Sequence, residues 1–435
     1  MKRILWAILA LVTSANAAYS QTCWTIGTDG SIELNPERIV LPYSDHIEMS
    51  GEQVSCVLRW MVDEKGLFGQ ERSLVFPMLR RVPNDTHASL LYRMGTDVMS
   101  LVGINSLVPR QLSTKKVSID GGLSVISEYG VGKANVGGAR GDNPKPVAEV
   151  RTTVFPSKVH PMLCEIYSIR NISASPLVLN VPKFSQEAKT LADKGVDGSY
   201  VIRADIFGSG TYVLEPWQEI GFQVAFQAYR EKGGSMIVPD FDAEYSARMS
   251  FIRDAIDSSL ILETPDTVIN TEFRFAKIRA SESIYRTKGG LMHGPGGESY
   301  YAALWCNDEC EYVNPFYPFL GYAVGNESAF NCYRLYSGFM NDDFKPVPSS
   351  IIAEGTDIWD GAGDRGDAAM IAHGLSRYLL ARGDKNEAEQ LWPFLKWCLE
   401  YCHRKLNAAG VPESDSDELE GRFPAGDANL STACL

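Results

Sequence analysis

From residue 24 to about 235 the apolar positions fall in short runs that alternate with polar ones or are rich in β-branched residues. Ser55–Met61, Ala148–Phe155, Cys164–Ile169, Leu177–Val181, Tyr200–Ile206 and Ile220–Phe226 are examples. Gly, Pro, Asn and Asp clusters separate them, which predicts strands joined by turns. Many short strands at this spacing predict two packed antiparallel sheets. Gly121-Gly122, Gly137-Gly138 and Gly233-Gly234 mark turns, and the Gly-rich stretch from Gly130 to Pro146 reads as a long loop.

After Pro239 the period changes from two to between three and four. Asp242 to Leu262 reads as a helix with Tyr245, Met249, Ile252 and Ile256 on one face. Asp266 to Tyr285 reads as a second, its apolar face set by Ile269, Phe273, Ala276 and Ala280. A Gly- and aromatic-rich loop is predicted over Gly289 to Phe319. Further helices are predicted over Glu327–Phe339, Asp367–Arg382 and Lys385–Asn407. The Asp367 helix presents Met370, Ile371, Gly374, Leu375, Tyr378 and Leu379, and stops at Gly383-Asp384. The last presents Ala388, Leu391, Trp392, Leu395 and Leu399. Strands first and helices second predict a multi-domain α+β protein, not a βαβ sheet.

The N-terminus has the form of a secretory signal. Lys2 and Arg3 precede an apolar run from Ile4 to Val12, and Ala15-Asn16-Ala17 supplies the small-residue cleavage site. That run is too short to span a bilayer, so the mature protein is expected to be exported, periplasmic or extracellular, and not membrane-spanning. The net charge is −13, and loss of Lys2 and Arg3 takes it to −15. Such a balance disfavours nucleic acid and anionic membranes as partners. Neutral ligands remain compatible.

Nine cysteines are too few and too scattered for a disulfide framework. Cys306 and Cys310 are spaced so that they can pair, whereas Cys398 and Cys402, one helical turn apart, read as free buried thiols. No C-x-x-C occurs and the six histidines are scattered, so neither a metal nor a cofactor is expected. A Gly-x-Ser-x-Gly elbow and a His-Glu-x-x-His motif are absent from the sequence.

Candidate chemistry lies in the acids. Glu413 to Glu420 carries five carboxylates in eight residues, directly after the last helix and its Gly410 stop. Glycoside hydrolysis needs a pair of carboxyls, one to protonate the leaving oxygen and one to activate water or attack. Crowded like charges and partial burial keep such an acid protonated. From composition alone, the same run also reads as a solvated loop.

Three segments in order resemble the trehalose and maltose phosphorylase family and the wider six-hairpin glycosidases, glucoamylases among them. Leu304-Trp305-Cys306-Asn307-Asp308, with Pro315-Phe316 seven residues on, resembles the family's Trp-Asp-Thr-Glu loop. Gly366-Asp367-Ala368-Ala369 through Gly383-Asp384 resembles its Gly-Asp-Ile-Ala helix. Ser416-Asp417-Glu418-Leu419 through Asn429-Leu430-Ser431-Thr432 resembles its Gly-Pro-Asp-Glu-Tyr segment. The resemblance implies an N-terminal antiparallel β-sandwich (supersandwich), a helical linker and an (α/α)6 toroid. It implies that Asp308 holds the sugar and that Glu418 is the general acid. Here the Trp-to-Asp spacing is two residues longer, Gly-Pro is replaced by Asp-Ser, and Leu419 stands for the tyrosine, which keeps Asp417 and Glu420 as alternatives.

Other substrate-binding candidates surround these. Trp305, Tyr300, Tyr301, Tyr312, Phe316 and Tyr317 flank Asp308 and offer faces for stacking on sugar rings, or packing for a core. Trp359, Asp360 and Arg365 lie in the loop before the Asp367 helix, where an Arg between acids can clamp sugar hydroxyls or form an ion pair. His293 lies in a glycine-rich loop that can line the pocket.

The expected organisation is a signal peptide over 1–17, a β-sandwich over 18–238, a helical linker over 239–266 and a barrel domain over 267–435. Twelve helices with their loops need roughly 300 residues, and 267–435 supplies 169. The toroid is therefore expected to be incomplete, with the sequence truncated at its C-terminal end and the catalytic base missing. The expected function is a secreted glycoside hydrolase acting by inversion on an oligo- or polysaccharide. The alternatives are a non-catalytic carbohydrate-binding protein and a disaccharide phosphorylase.

Overall fold

The computed structural model describes residues 23–132, 144–294, 296–298, 303–355, 358–359 and 363–415. The signal-like segment, Tyr300, Tyr301, Asp360 and the acidic candidates Asp417, Glu418 and Glu420 lie outside the described residues.

The N-terminal half is built from antiparallel strands. A nine-stranded sheet runs in the order Trp24–Ile26, Ile32–Leu34, Arg110–Ile119, Leu123–Gly130, Pro146–Pro156, Met162–Asn171, Glu219–Arg230, Tyr200–Phe207 and Ser185–Lys189. A four-stranded sheet follows sequence order through Tyr43–Ser50, Ser55–Val62, Phe68–Arg80 and Ser89–Met94. Leu58, Trp60, Leu74 and Phe76 from the smaller sheet join Val125, Val150, Tyr167, Phe222 and Val224 from the larger in one buried core. Each of the six strand segments read from the sequence falls inside an observed strand.

One buried ion pair crosses between the two sheets. Arg72 gives Nε to Glu165 Oε1 at 2.5 Å and Nη2 to Oε2 at 2.9 Å, while Tyr167 donates its hydroxyl to the same carboxylate at 2.7 Å. Both charges are almost wholly buried, so the bidentate geometry is needed to offset their desolvation.

Helices follow. Helix α1 (Phe241–Phe251) starts on an Asp240 cap and runs into a π-helical segment, Ile252–Asp257. Helix α2 (Thr267–Ser281) is capped by Asp266, whose carboxylate accepts from the Val268 and Ile269 amides. Helices α3 (Asn314–Leu320), α4 (Ala323–Ser337), α5 (Asp367–Arg382) and α6 (Lys385–Arg404) complete the described helical part. Among the described residues no helix is long and apolar enough to cross a membrane.

The helix boundaries read from sequence hold best for α5, and the faces hold less well. In α1 the buried positions are Phe241, Glu244, Arg248 and Phe251, while Tyr245 is exposed. The π segment then adds a residue per turn, which brings Ile252 and Ile256 inward. In α2 Ile269 faces solvent, and Lys277, Ile278 and Ser281 are buried. In α6 Trp392 and Leu399 are exposed, and Leu391, Phe394, Leu395, Cys398, Tyr401 and Cys402 face inward. The predicted loop over 289–319 contains two short strands, Gly290–His293 and Ala303–Trp305, a π-helical turn, Asp308–Val313, and α3. Cys398 and Cys402 are free and buried, as expected; Cys306 and Cys310, which the spacing allows to pair, form no disulfide and are free, buried thiols with their sulfurs 3.9 Å apart.

The two halves are joined by a polar seam centred on Arg248. It is fully buried, donates Nε to Gly121 O at 2.6 Å and Nη1 to Ser50 O at 3.3 Å, and pairs Nη2 with Glu282. Around it, Arg286 pairs with Glu52 at 2.7 Å, Arg80 with Glu354 at 3.0 Å, and Arg93 with Glu298 at 2.8 Å. Removing Arg248 leaves two backbone carbonyls without their donor and Glu282 with only the partly exposed Arg279 as its cation. Arg248→Met is therefore expected to lower unfolding free energy by about 3–5 kcal/mol, measured as a drop in the urea midpoint. An unchanged midpoint would remove Arg248 from this role.

Candidate active site

The backbone reaches the candidate site through three short strands. Ala303–Trp305 pairs with Ser350–Ile352, which pairs in turn with Ile358–Trp359. Trp305 sits opposite Ser350 and is buried. Its indole meets the His87 ring edge-on, with centroids 6.3 Å apart. His87 comes from the loop before strand Ser89–Met94, so the β-rich half supplies a wall of this region. A Thr86 hydroxyl at 2.7 Å fixes that histidine.

Directly after Trp305 the backbone enters the π-helical turn 308–313. Such turns widen the backbone and recur at functional sites. This one turns Cys310 and Glu309 wholly into the interior, while Asp308 stays half-buried. Helix α5 packs against it at Gly374, where a Cβ would stand 1.9 Å from the Cys310 carbonyl oxygen. Only a glycine lets the helix approach the turn this closely.

Three ionisable candidates, Asp308, His293 and Arg365, act on one another here, together with Glu309. Burial raises the Asp308 carboxyl above its ordinary range, and the His293 and Arg365 charges oppose that rise. His293 closes its strand as a buried residue and holds Glu309 Oε1 with Nδ1 at 3.0 Å. A carboxyl partner at Nδ1 fixes the plane of the ring and points Nε2 away from that contact. Glu309 is pushed up first by burial and partly restored by His293. Its Oε2 has no hydrogen-bond partner among the described residues.

The first turn of α5 adds Asp367, also buried. Burial pushes its carboxyl up to about 7; Arg365 opposes this and Asp364 reinforces it. Arg365 is itself buried, and its charge reaches both Asp308 and Asp367. It is thus the shared cation of two carboxyls.

Asp364, the acid beside Arg365, is engaged in structural contacts. Its carboxylate takes the Tyr401 hydroxyl, the Gly366 amide at 2.9 Å and Lys405 Nζ at 3.5 Å. Its backbone pairs with Asp415, amide to Oδ2 at 3.1 Å and carbonyl to the Asp415 amide at 2.8 Å. The stretch from Lys405 to Asp415 is thereby folded back from the end of α6, through Glu413 N on Lys405 O at 3.0 Å, onto the loop that carries Arg365.

The structure brings together His293, Asp308, Trp305 and Arg365 of the sequence-predicted residues. It removes others from the pocket wall. Tyr317 is fully buried and donates to Ala280 O at 2.8 Å, Phe316 packs into the helical core, and Tyr312 is exposed. Glu309, Asp367 as a titrating group, His87 and the Asp364–Asp415 contact escape sequence reasoning. An Asp-Glu pair straight after a buried strand was the one signal for Glu309.

No family model and no curated protein matches this chain. Solved structures that this chain matches include a protein assigned as a kojibiose phosphorylase, from the human microbiome. It has a TM-score of 0.49 and 10% identity over 87% of this chain and 60% of that one. A bacterial glucoamylase solved with acarbose has a TM-score of 0.28 and 8% identity, over 92% of this chain and 74% of that one. This chain spans about 60% of the length of the phosphorylase structure. Likeness at this level assigns no role to any residue.

A raised carboxyl makes stability fall with pH. The unfolded Asp367 loses its proton near 3.8, whereas the folded group keeps it to about 7. The folded state therefore binds more protons between these values, and its stability declines across that window before levelling off. Asp308 and Glu309 act with the same sign. Urea midpoints taken across about pH 4 to 8 should decline for the native protein and decline less for Asp367→Asn. Parallel curves would sink the assignment.

Proposed function

We propose that this protein is a carbohydrate-active enzyme, a secreted glycoside hydrolase that cleaves oligo- or polysaccharides with inversion. In this reading, 18–238 is a β-sandwich, 239–266 a helical linker and 267–435 part of an (α/α)6 barrel carrying the catalytic groups. The observation that carries the reading is the gathering of Asp308, His293, Arg365 and Asp367 beside the point where the acidic segment begins.

Asp308 would accept hydrogen bonds from the hydroxyls of the sugar being cleaved. Its charge is held in place by Arg365, whose own burial strengthens that attraction. Trp305 and His87 would close the apolar side, with Trp359 and Asp360 contributing from the adjoining loop. The proton donor would be Glu418, with Asp417 and Glu420 as its neighbours in charge. The sequence supports this, since Glu418 follows Asp415 by three residues. Asp415 is tied to Asp364, the residue next to Arg365. A donor at Glu418 would protonate the leaving oxygen as the bond to the anomeric carbon breaks. An inverting partner carboxylate would stand ~6.5–9.5 Å away across the sugar, with water between.

Glu418→Gln should lower kcat/KM on a natural glycoside by roughly 10²–10⁴-fold. On an aryl glycoside whose leaving group needs no proton, the loss should be small. Equal losses on both would rule Glu418 out as the acid, and Asp417→Asn and Glu420→Gln then become the variants to compare. Release of a sugar phosphate on adding phosphate would mark a phosphorylase instead. Sugar binding with no turnover would mark a binding protein.

A further inference from the structure

A cavity of about 620 Å³ lies between the two large sheets of the N-terminal half, and none of its lining residues comes from beyond Tyr167. It is therefore separate from the region around Asp308. Its mouth is marked by exposed residues, among them Asp97, Val108 and Arg110. Its volume falls within the usual range for small-molecule sites, ~300–1,000 Å³.

The floor is neutral. Arg72 faces the cavity, but its charge is matched by Glu165, and its third nitrogen donates to Thr96 O at 3.1 Å. Gln70 and Tyr167 donate to the same carboxylate, at 3.1 and 2.7 Å. These contacts leave no open cation to attract an anion. The walls combine an aromatic face, Phe68 and Tyr129, with uncharged polar groups, Thr152 and Gln111. Asp97 leaves its own helical turn uncapped and acts on the Tyr129 phenol, which burial and this charge both push up. Among the described lining residues the mouth carries one acid, Asp97, and one base, Arg110, which balance in charge.

An apolar lipid tail would strand these polar groups, and a charged metabolite would find no net counter-charge. A sugar satisfies both constraints. Its C–H face packs on aromatic carbon, and its hydroxyls both give and take hydrogen bonds. We propose that this cavity is a second carbohydrate site, taking a neutral mono- or disaccharide between the sheets. It stands independently of the role assigned to Glu418.

The test uses the full-length protein with Asp308→Asn, with glucose and maltose as probes and glucuronate as the charged control. Calorimetry should show binding of a neutral probe and none of glucuronate. Adding Tyr129→Phe or Thr152→Val, each the loss of one hydroxyl, should weaken that binding roughly fivefold to tenfold. Hydrogen exchange on the same protein should show protection by the sugar over 95–100 and 123–130. That readout needs no further substitution and so does not depend on the variants folding. Failure of glucose and maltose to bind, affinity indifferent to both hydroxyl deletions, or protection confined to 303–313 and 363–367 would each overturn the proposal.

Discussion

Arg248 is the contact on which the architecture turns. Its guanidinium reaches two carbonyls of the β-rich half and one carboxylate at the end of α2, with no water-exposed surface. A cation in such a place is costly unless every donor is matched. Once matched, it fixes the angle at which the helices leave the sheets. Glu298, Glu354 and Glu52 then extend the seam outward through arginines of Phe68–Arg80, its neighbours and the strand Ile284–Thr287. The meeting of His87 with Trp305 is a consequence of that fixed angle, because the two rings come from opposite sides of the seam.

Within the helical half, the chemistry depends on burial more than on proximity of charge. Three carboxyls, on Asp308, Glu309 and Asp367, sit where water is scarce, beside the buried side chains of Arg365 and His293. Removal from water raises all three, and these neighbours oppose the rise. This is the balance that general acid chemistry exploits. The same balance makes the region a cost to folding near neutral pH, as functional sites commonly are.

Much of the frame was legible in the sequence because it rests on local rules. The α5 limits follow from the apolar period and Gly383, which adopts a left-handed φ of 63° at the helix end. The Asp266 cap starts α2 within a residue of its predicted start. The faces of α1 and α6 were only partly legible, since Arg248, Glu244 and Tyr401 are buried against the rest of the fold. Hydropathy assigns a buried arginine to the outside. The short strands around Trp305 escaped because three residues show no period. Of the site, Asp308, His293 and Arg365 came from motif order and neighbourhood. Glu309 and Asp415 acquire their places only through the π turn and the fold-back from α6, and the acid segment from 416 on lies outside the described residues.

The close approach at Gly374 bears on how such a site is recognised. A helix interior pays roughly 0.5–1 kcal/mol to keep glycine in place of alanine. Here any larger residue would strike the Cys310 backbone rather than a side chain that can swing aside. The turn carrying Asp308 and the helix carrying Asp367 are therefore gauged against each other by the absence of one methyl group. That silent position ties the two carboxyl-bearing elements together in a way the conspicuous acidic run does not. A search pattern for related sequences would do well to spell out Trp305, Asp308, Asp367 and Gly374 together, and to let the number of acids near 413–420 vary.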